Sequence, residues 1–121
     1  MGRTRYAAAT VAAVCVAVMK APAAQAVPEF GMAGVTPNAR AVADYVSANY
    51  PGVLSIGGVR PCDSVGEHCR GVAIDVMVGG NTALGDAIAA DLRANPGRFG
   101  IKYILWRVVN HGDHLHISVV N

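Results

Sequence analysis

The stretch "GVAIDVMV", Gly71 to Val78, constrains the fold of this chain more than any other. Its side chains alternate, with Val72, Ile74, Val76 and Val78 on one face and Ala73, Asp75 and Met77 on the other, which is the period of a β-strand. The aliphatic face needs an apolar layer against it, so this strand belongs inside a sheet. The other face carries a carboxylate among apolar neighbours. A carboxylate buried there without a partner is costly, so a cation or strong donors must stand beside Asp75.

Two helices can supply the apolar layer. "TPNARAVADYVSANYPG" predicts the first, with Thr36 as N-cap, Pro37 at the first helical position, and Ala39, Val42, Ala43, Val46 and Tyr50 on one face. "TALGDAIAADLRANPG" predicts the second, with Leu84, Ala87, Ile88 and Leu92 on one face, Asn81 or Thr82 as cap, and Asn95-Pro96-Gly97 as stop. "VLSIGGVR" reads as a short strand entering a glycine-rich bend. "IKYILWRVV" and "LHISVV" read as two strands joined by the turn "NHGDH". "VPEFGMAGV" shows no periodicity and reads as an irregular lead-in. The order helix, strand, strand, helix, strand, strand predicts an α+β fold: a small single domain with a mostly antiparallel four-stranded sheet packed with two helices.

That domain is expected to occupy residues 27–121, because residues 1–26 read as a secretory signal peptide. Arg3 and Arg5 precede an apolar run of 14 residues, and Ala24-Gln25-Ala26 forms the small-x-small pattern of a cleavage site. The run is shorter than the roughly 20 residues of a membrane span, so no stable span is expected once the leader is removed. A secreted or cell-wall-associated location follows. Taking Arg3, Arg5 and Lys20 from the 10 basic residues leaves seven against 8 acidic ones, a net −1 in place of +2. Nucleic acid is therefore not an expected partner, since its footprint is a basic patch or stripe. Cys15 also leaves with the leader, and Cys62 and Cys69 remain as a pair. In an oxidising compartment such a pair closes a disulfide, with free thiols or a thiolate ligand as the alternatives.

All four histidines of the chain lie in the expected domain, three of them in "HGDHLH" as His111, His114 and His116. On a strand His114 and His116 share a face. His68 precedes Asp75 by a distance that lets a loop fold its ring back over the strand. Two imidazoles and one carboxylate make a three-ligand set suited to zinc, with a fourth position for water. The same residues are compatible with a solvated histidine face and with an Asp75 held by Arg60 or Arg70.

At these positions the chain resembles the LAS metallopeptidase superfamily: lysostaphin-type enzymes, D-alanyl-D-alanine metallopeptidases and the hedgehog signalling domain. "EHCRGVAID" matches the family pattern at His68, Gly71, Ala73 and Asp75, "HLH" supplies the distal pair, and "GGVR" ending in Arg60 fits an upstream element. The resemblance implies an exported Zn2+-dependent peptidase acting on peptidoglycan peptides, as a D,D-carboxypeptidase or an endopeptidase. It makes His68, Asp75 and His116 the metal ligands, His114 a catalytic residue beside the metal, and Arg60 a substrate contact. His111 corresponds to a second active-site histidine of the murein endopeptidases. Gly66 stands where the family usually has serine. Asp113 and His114 stand where many members have a catalytic glutamate, which makes Asp113 the first candidate base and Glu67 a weaker one. A non-catalytic, zinc-stabilised module that binds wall peptides is the alternative, and a disulfide-held scaffold with incidental histidines a third.

Overall fold

The computed structural model describes Gly2 and residues 26–121, so the expected leader falls almost wholly outside the described residues. From the N-terminal side, the elements are β1 (Glu29–Phe30), α1 (Pro37–Asn49), β2 (Ser55–Gly57), β3 (Ala73–Met77), α2 (Thr82–Ala94), β4 (Ile101–Leu105) and β5 (His114–Val119). Short 3-10 turns at Met32–Gly34 and Pro96–Arg98 join them. Among the described residues no helix is long and apolar enough to cross a membrane.

The fold is α+β, as the periodicities predict, but the sheet has five strands in the order β1-β2-β3-β5-β4 and is mixed. The expected four strands are antiparallel to their neighbours, and β1 adds a parallel edge beside β2. A two-residue strand is too short to show alternation, which is why "VPEFGMAGV" reads as irregular. Backbone bonds from Ile56 to the Pro28 carbonyl (2.9 Å) and from Gly58 to the Phe30 carbonyl (2.8 Å) hold it. Arg40 of α1 adds an ion pair to Glu29.

One expected position holds with a different bonding pattern, and two expectations are corrected. Thr36 occupies the N-cap of α1, but its hydroxyl is buried without a hydrogen-bond partner, and its amide bonds to the Gly71 carbonyl instead. The buried face of α2 is Gly85, Ile88, Ala89 and Leu92, while Ala87 is exposed. Gly85 rotates that face inward because the Trp106 ring lies against it; a Cβ at residue 85 would stand 2.1 Å from the ring. Finally, β4 stops at Leu105. Trp106 turns into the core with its Nε1 donating to Asp86 (2.8 Å), and Arg107 and Asn110 take positive φ angles of 60° and 63°.

Both helices pack on the aliphatic side of the sheet, where Ile56, Ile74, Val76, Leu115 and Ile117 meet Val42, Val46, Ile88 and Leu92 in one cluster. Full burial of a side chain of this kind contributes about 1.5–3 kcal/mol, so this layer dominates the stability. The opposite side is what matters for function. The register sets Asp75 of β3 directly across from His116 of β5, and Met77 across from His114. On its other flank Asp75 faces Gly57, whose missing side chain leaves open space. The segment between β2 and β3 folds back over the polar side of the sheet, where His68 Nδ1 reaches the Gly58 carbonyl.

Candidate metal centre

The returning segment is shaped by two local constraints. A Cys62–Cys69 disulfide closes it, with the two Cα atoms 4.8 Å apart. Asp63 accepts hydrogen bonds from the Val65 and Gly66 amides (3.0 and 2.8 Å), making a tight turn before Glu67. Gly71 ends it with φ 72°, where a Cβ would stand 2.3 Å from the Gly34 carbonyl oxygen; this position of the motif admits no larger residue. The result is that Glu67 and His68 lie buried against β3 and β5.

His68 Nε2, His116 Nδ1 and Asp75 Oδ1 converge. The two nitrogens are 3.1 Å apart, and Asp75 Oδ1 lies 3.2 Å from His68 Nε2 and 3.5 Å from His116 Nδ1. All three residues are buried, and together they form a group able to bind a metal ion. Each ring directs its other nitrogen away from the group. His68 Nδ1 donates to the Gly58 carbonyl (3.0 Å), and His116 Nε2 donates to Glu67 Oε1 (3.2 Å). With both rings neutral, these bonds place the single proton of each on the far nitrogen. Three lone pairs then face one another with no proton among them, and Asp75 Oδ1 is buried without a hydrogen-bond partner. A cation at their centre removes that conflict. Ligand atoms on a tetrahedral ion with bonds of about 2.0–2.1 Å lie about 3.3 Å apart, which the observed separations match.

The electrostatics agree. Burial pushes the Asp75 carboxyl up, but the His116 and His68 rings and the Arg60 guanidinium outweigh it and hold the group far below the usual carboxylate range. Burial opposes a charge on His116, yet Asp75 and Glu67 together raise its pKa. Both shifts belong to the state in which the rings carry a second proton toward Asp75, the place a bound cation would take.

The two imidazoles of the group, His68 and His116, line a cleft of about 270 Å³. His111, His114, Arg60, Tyr103, Leu105 and Val65 are among the residues that line it. His114 Nε2 stands 3.9 Å from Asp75 Oδ1, while its Nδ1 pairs with Asp113 Oδ1 at 2.7 Å. Asp113 itself is exposed and lies outside the cleft lining. His111 is half-buried at the rim, its ring 4.8 Å from that of His114, with Nδ1 bonded to the Val109 carbonyl (2.8 Å). Arg60 is half-exposed; one guanidinium nitrogen donates to Asp75 Oδ2, and the other is 4.0 Å from Asp63.

A protein family described as VldE, C-terminal domain, matches residues 31–111, well over half of the chain. The chain belongs to the VldE C-terminal-domain family. Within this VldE C-terminal domain the matched span contains Arg60, His68, Asp75 and His111 and ends before Asp113, His114 and His116. No curated protein and no solved structure matches the chain.

Two site residues escape a reading of the VldE-type sequence by itself. Ser118 Oγ and the Tyr103 hydroxyl both donate to Glu67, which is 3% exposed and so carries a polar network behind His116. The parity of β5 offers one signal, since it puts Ser118 on the face of His116. Nothing in the sequence brings Tyr103 to the same carboxylate.

Proposed function

We propose that this chain is an exported zinc-dependent peptidase that acts on peptidoglycan peptides, as a D,D-carboxypeptidase or an endopeptidase of the LAS type that its motifs resemble. The convergence of His68 Nε2, His116 Nδ1 and the unpartnered Asp75 Oδ1, with both imidazoles lining a cleft, supports this most directly. Two imidazole nitrogens and one carboxylate oxygen form the donor set of catalytic zinc sites, which keep a fourth position open. Zinc, when bound, supplies an activated water near neutral pH and polarises a scissile carbonyl.

The chain's own residues do the rest. Asp113 holds Nδ1 of His114 and so orients its Nε2 toward the centre, where that nitrogen can take a proton and return it to a leaving amine, or donate to an oxyanion. The Arg60 guanidinium nitrogens not committed to Asp75 line the cleft and suit a peptide carboxylate or carbonyl. His111 stands at the rim as a further polar contact.

One observation favours the non-catalytic, wall-peptide-binding alternative. Glu67 is buried and committed to His116, Tyr103 and Ser118, and Asp113 is outside the cleft, so neither carboxylate faces the cleft as a free base. Incubating the purified protein with muropeptides, with and without chelator, separates the two. Cleavage lost on chelation and restored by zinc supports the peptidase. Zinc-dependent binding without cleavage supports the alternative, and a purified protein free of stoichiometric zinc removes both.

A further inference from the structure

We propose that Glu67 is a positioning residue of this centre, fixing His116 in the one tautomer that presents Nδ1 to the ion; the proposal rests on the metal-centre reading above. An imidazole ligand offers either nitrogen, and the hydrogen bond made by the other decides which. His116 Nε2 lies 3.2 Å from Glu67 Oε1, and a carboxylate can only accept there, so the proton sits on Nε2 and the lone pair on Nδ1. Such an outer carboxylate also raises the basicity of the ligand.

Glu67 is built to hold this place. Its Oε1 takes the Tyr103 hydroxyl as well as His116, and its Oε2 takes Ser118 Oγ and lies 3.9 Å from Lys102 Nζ. These donors come from β4 and β5, while Glu67 itself sits in the disulfide-closed segment, next to the ligand His68. One carboxylate thus ties the segment that carries one imidazole ligand to the strand that carries the other. An apolar residue at 67 would leave Ser118, Tyr103 and His116 Nε2 without their acceptor in a buried place.

The test compares zinc affinities of full-chain variants by competition with a chromophoric chelator. Glu67→Gln keeps an acceptor and loses the charge, so its affinity falls about tenfold; Glu67→Met loses both, and the fall approaches 100-fold, the range found for outer-shell partners. Tyr103→Phe removes a donor to the same carboxylate but leaves His116 its acceptor, so it lowers thermal stability while changing zinc affinity far less than Glu67→Gln. Long-range proton–nitrogen spectra of the zinc-loaded wild type should report His116 bound through Nδ1 with a proton on Nε2. These spectra decide the matter if both Glu67 variants misfold. Coordination through Nε2, or folded Glu67 variants that bind zinc as tightly as the wild type, would overturn the proposal. A wild type that binds no zinc would overturn the metal centre itself, and this role with it.

Discussion

The two oxygens of Asp75 stand in different situations, and that difference supports the metal reading at the scale of single residues. Oδ2 has the Arg60 guanidinium; Oδ1 has ring nitrogens of His68 and His116 turned toward it, with His114 Nε2 farther off at 3.9 Å. Asp75→Ala and His116→Ala should each abolish stoichiometric zinc binding, because two remaining donors no longer define the site. Metal binding is coupled to folding, so the rise in Tm that zinc confers on the wild type should vanish in both variants. Full zinc occupancy after dialysis in either would refute the ligand set. His114→Ala should behave differently, keeping the metal and losing about 10²–10⁴-fold in muropeptide turnover, as expected for a proton-transfer group. Loss of zinc in that variant would make His114 a ligand instead. The convergence of His68, Asp75 and His116 was partly legible: strand parity puts His114 and His116 on one face and exposes Asp75 as a lone carboxylate in an apolar run, while the choice of His68 and His116 rested on the LAS resemblance. The place of Arg60 was legible: it is one of the two arginines expected beside Asp75, and it pairs with that carboxylate while also lining the cleft. Glu67 was not legible as a partner of His116, since its contact spans 49 positions and depends on how one loop folds back.

At the scale of elements, the segment between β2 and β3 does most to make the site. The Cys62–Cys69 bridge restricts Glu67 and His68 in the metal-free chain, which is the preorganisation a ligand set needs. A loop of this size contributes roughly 2–3 kcal/mol in the chain-entropy model. Reduction should therefore lower both Tm and zinc affinity, read by chelator competition with and without reductant. Tighter zinc binding on reduction would instead make the thiols ligands. The segment that carries His111, Asp113 and His114 is anchored differently, through Trp106 packed on Gly85 and bonded to Asp86. Gly85→Ala would gain helix propensity of about 1 kcal/mol, yet it drives a methyl group into the buried ring, and overpacking typically costs about 1–3 kcal/mol. A lower Tm is expected, and an unchanged or higher Tm would refute this packing account. The same pair explains why periodicity misplaced one position of the α2 face while placing Ile88 and Leu92 correctly. A glycine carries no hydrophobic signal, so Ala87 was expected inward where Gly85 and Ala89 are buried. The two helices and strands β3, β4 and β5 were legible because each spans two or more periods, and the three-residue β2 because glycines and a Pro-Gly turn bound it. β1 was not, being held by backbone hydrogen bonds and an ion pair that pattern does not encode.

Across the whole molecule, the site depends on two helices clamping the sheet from its far side, and one carboxylate links them. Asp91 of α2 accepts hydrogen bonds from the hydroxyls of Tyr50, just past the end of α1, and Tyr45 within it, at 2.6 and 2.7 Å. Arg98 reaches its other oxygen at 3.3 Å and lies over the Tyr45 ring. Tyr50 first, then Tyr45, hold the Asp91 carboxyl below the usual carboxylate range. The unfolded chain consequently takes up that proton at a higher pH than the folded chain does. The stabilisation is fully present above the unfolded value of about 3.9 and is lost as pH falls through the depressed folded value. The Tm of the metal-free protein should therefore decline steeply below about pH 4. Asp91→Asn should lower Tm at neutral pH and flatten that decline, because its amide does not titrate. Chelator present throughout keeps metal loss out of the comparison. An Asp91→Asn protein whose Tm falls as steeply with acid as the wild type would mean that other carboxylates carry the acid sensitivity, and that the clamp between the helices does not.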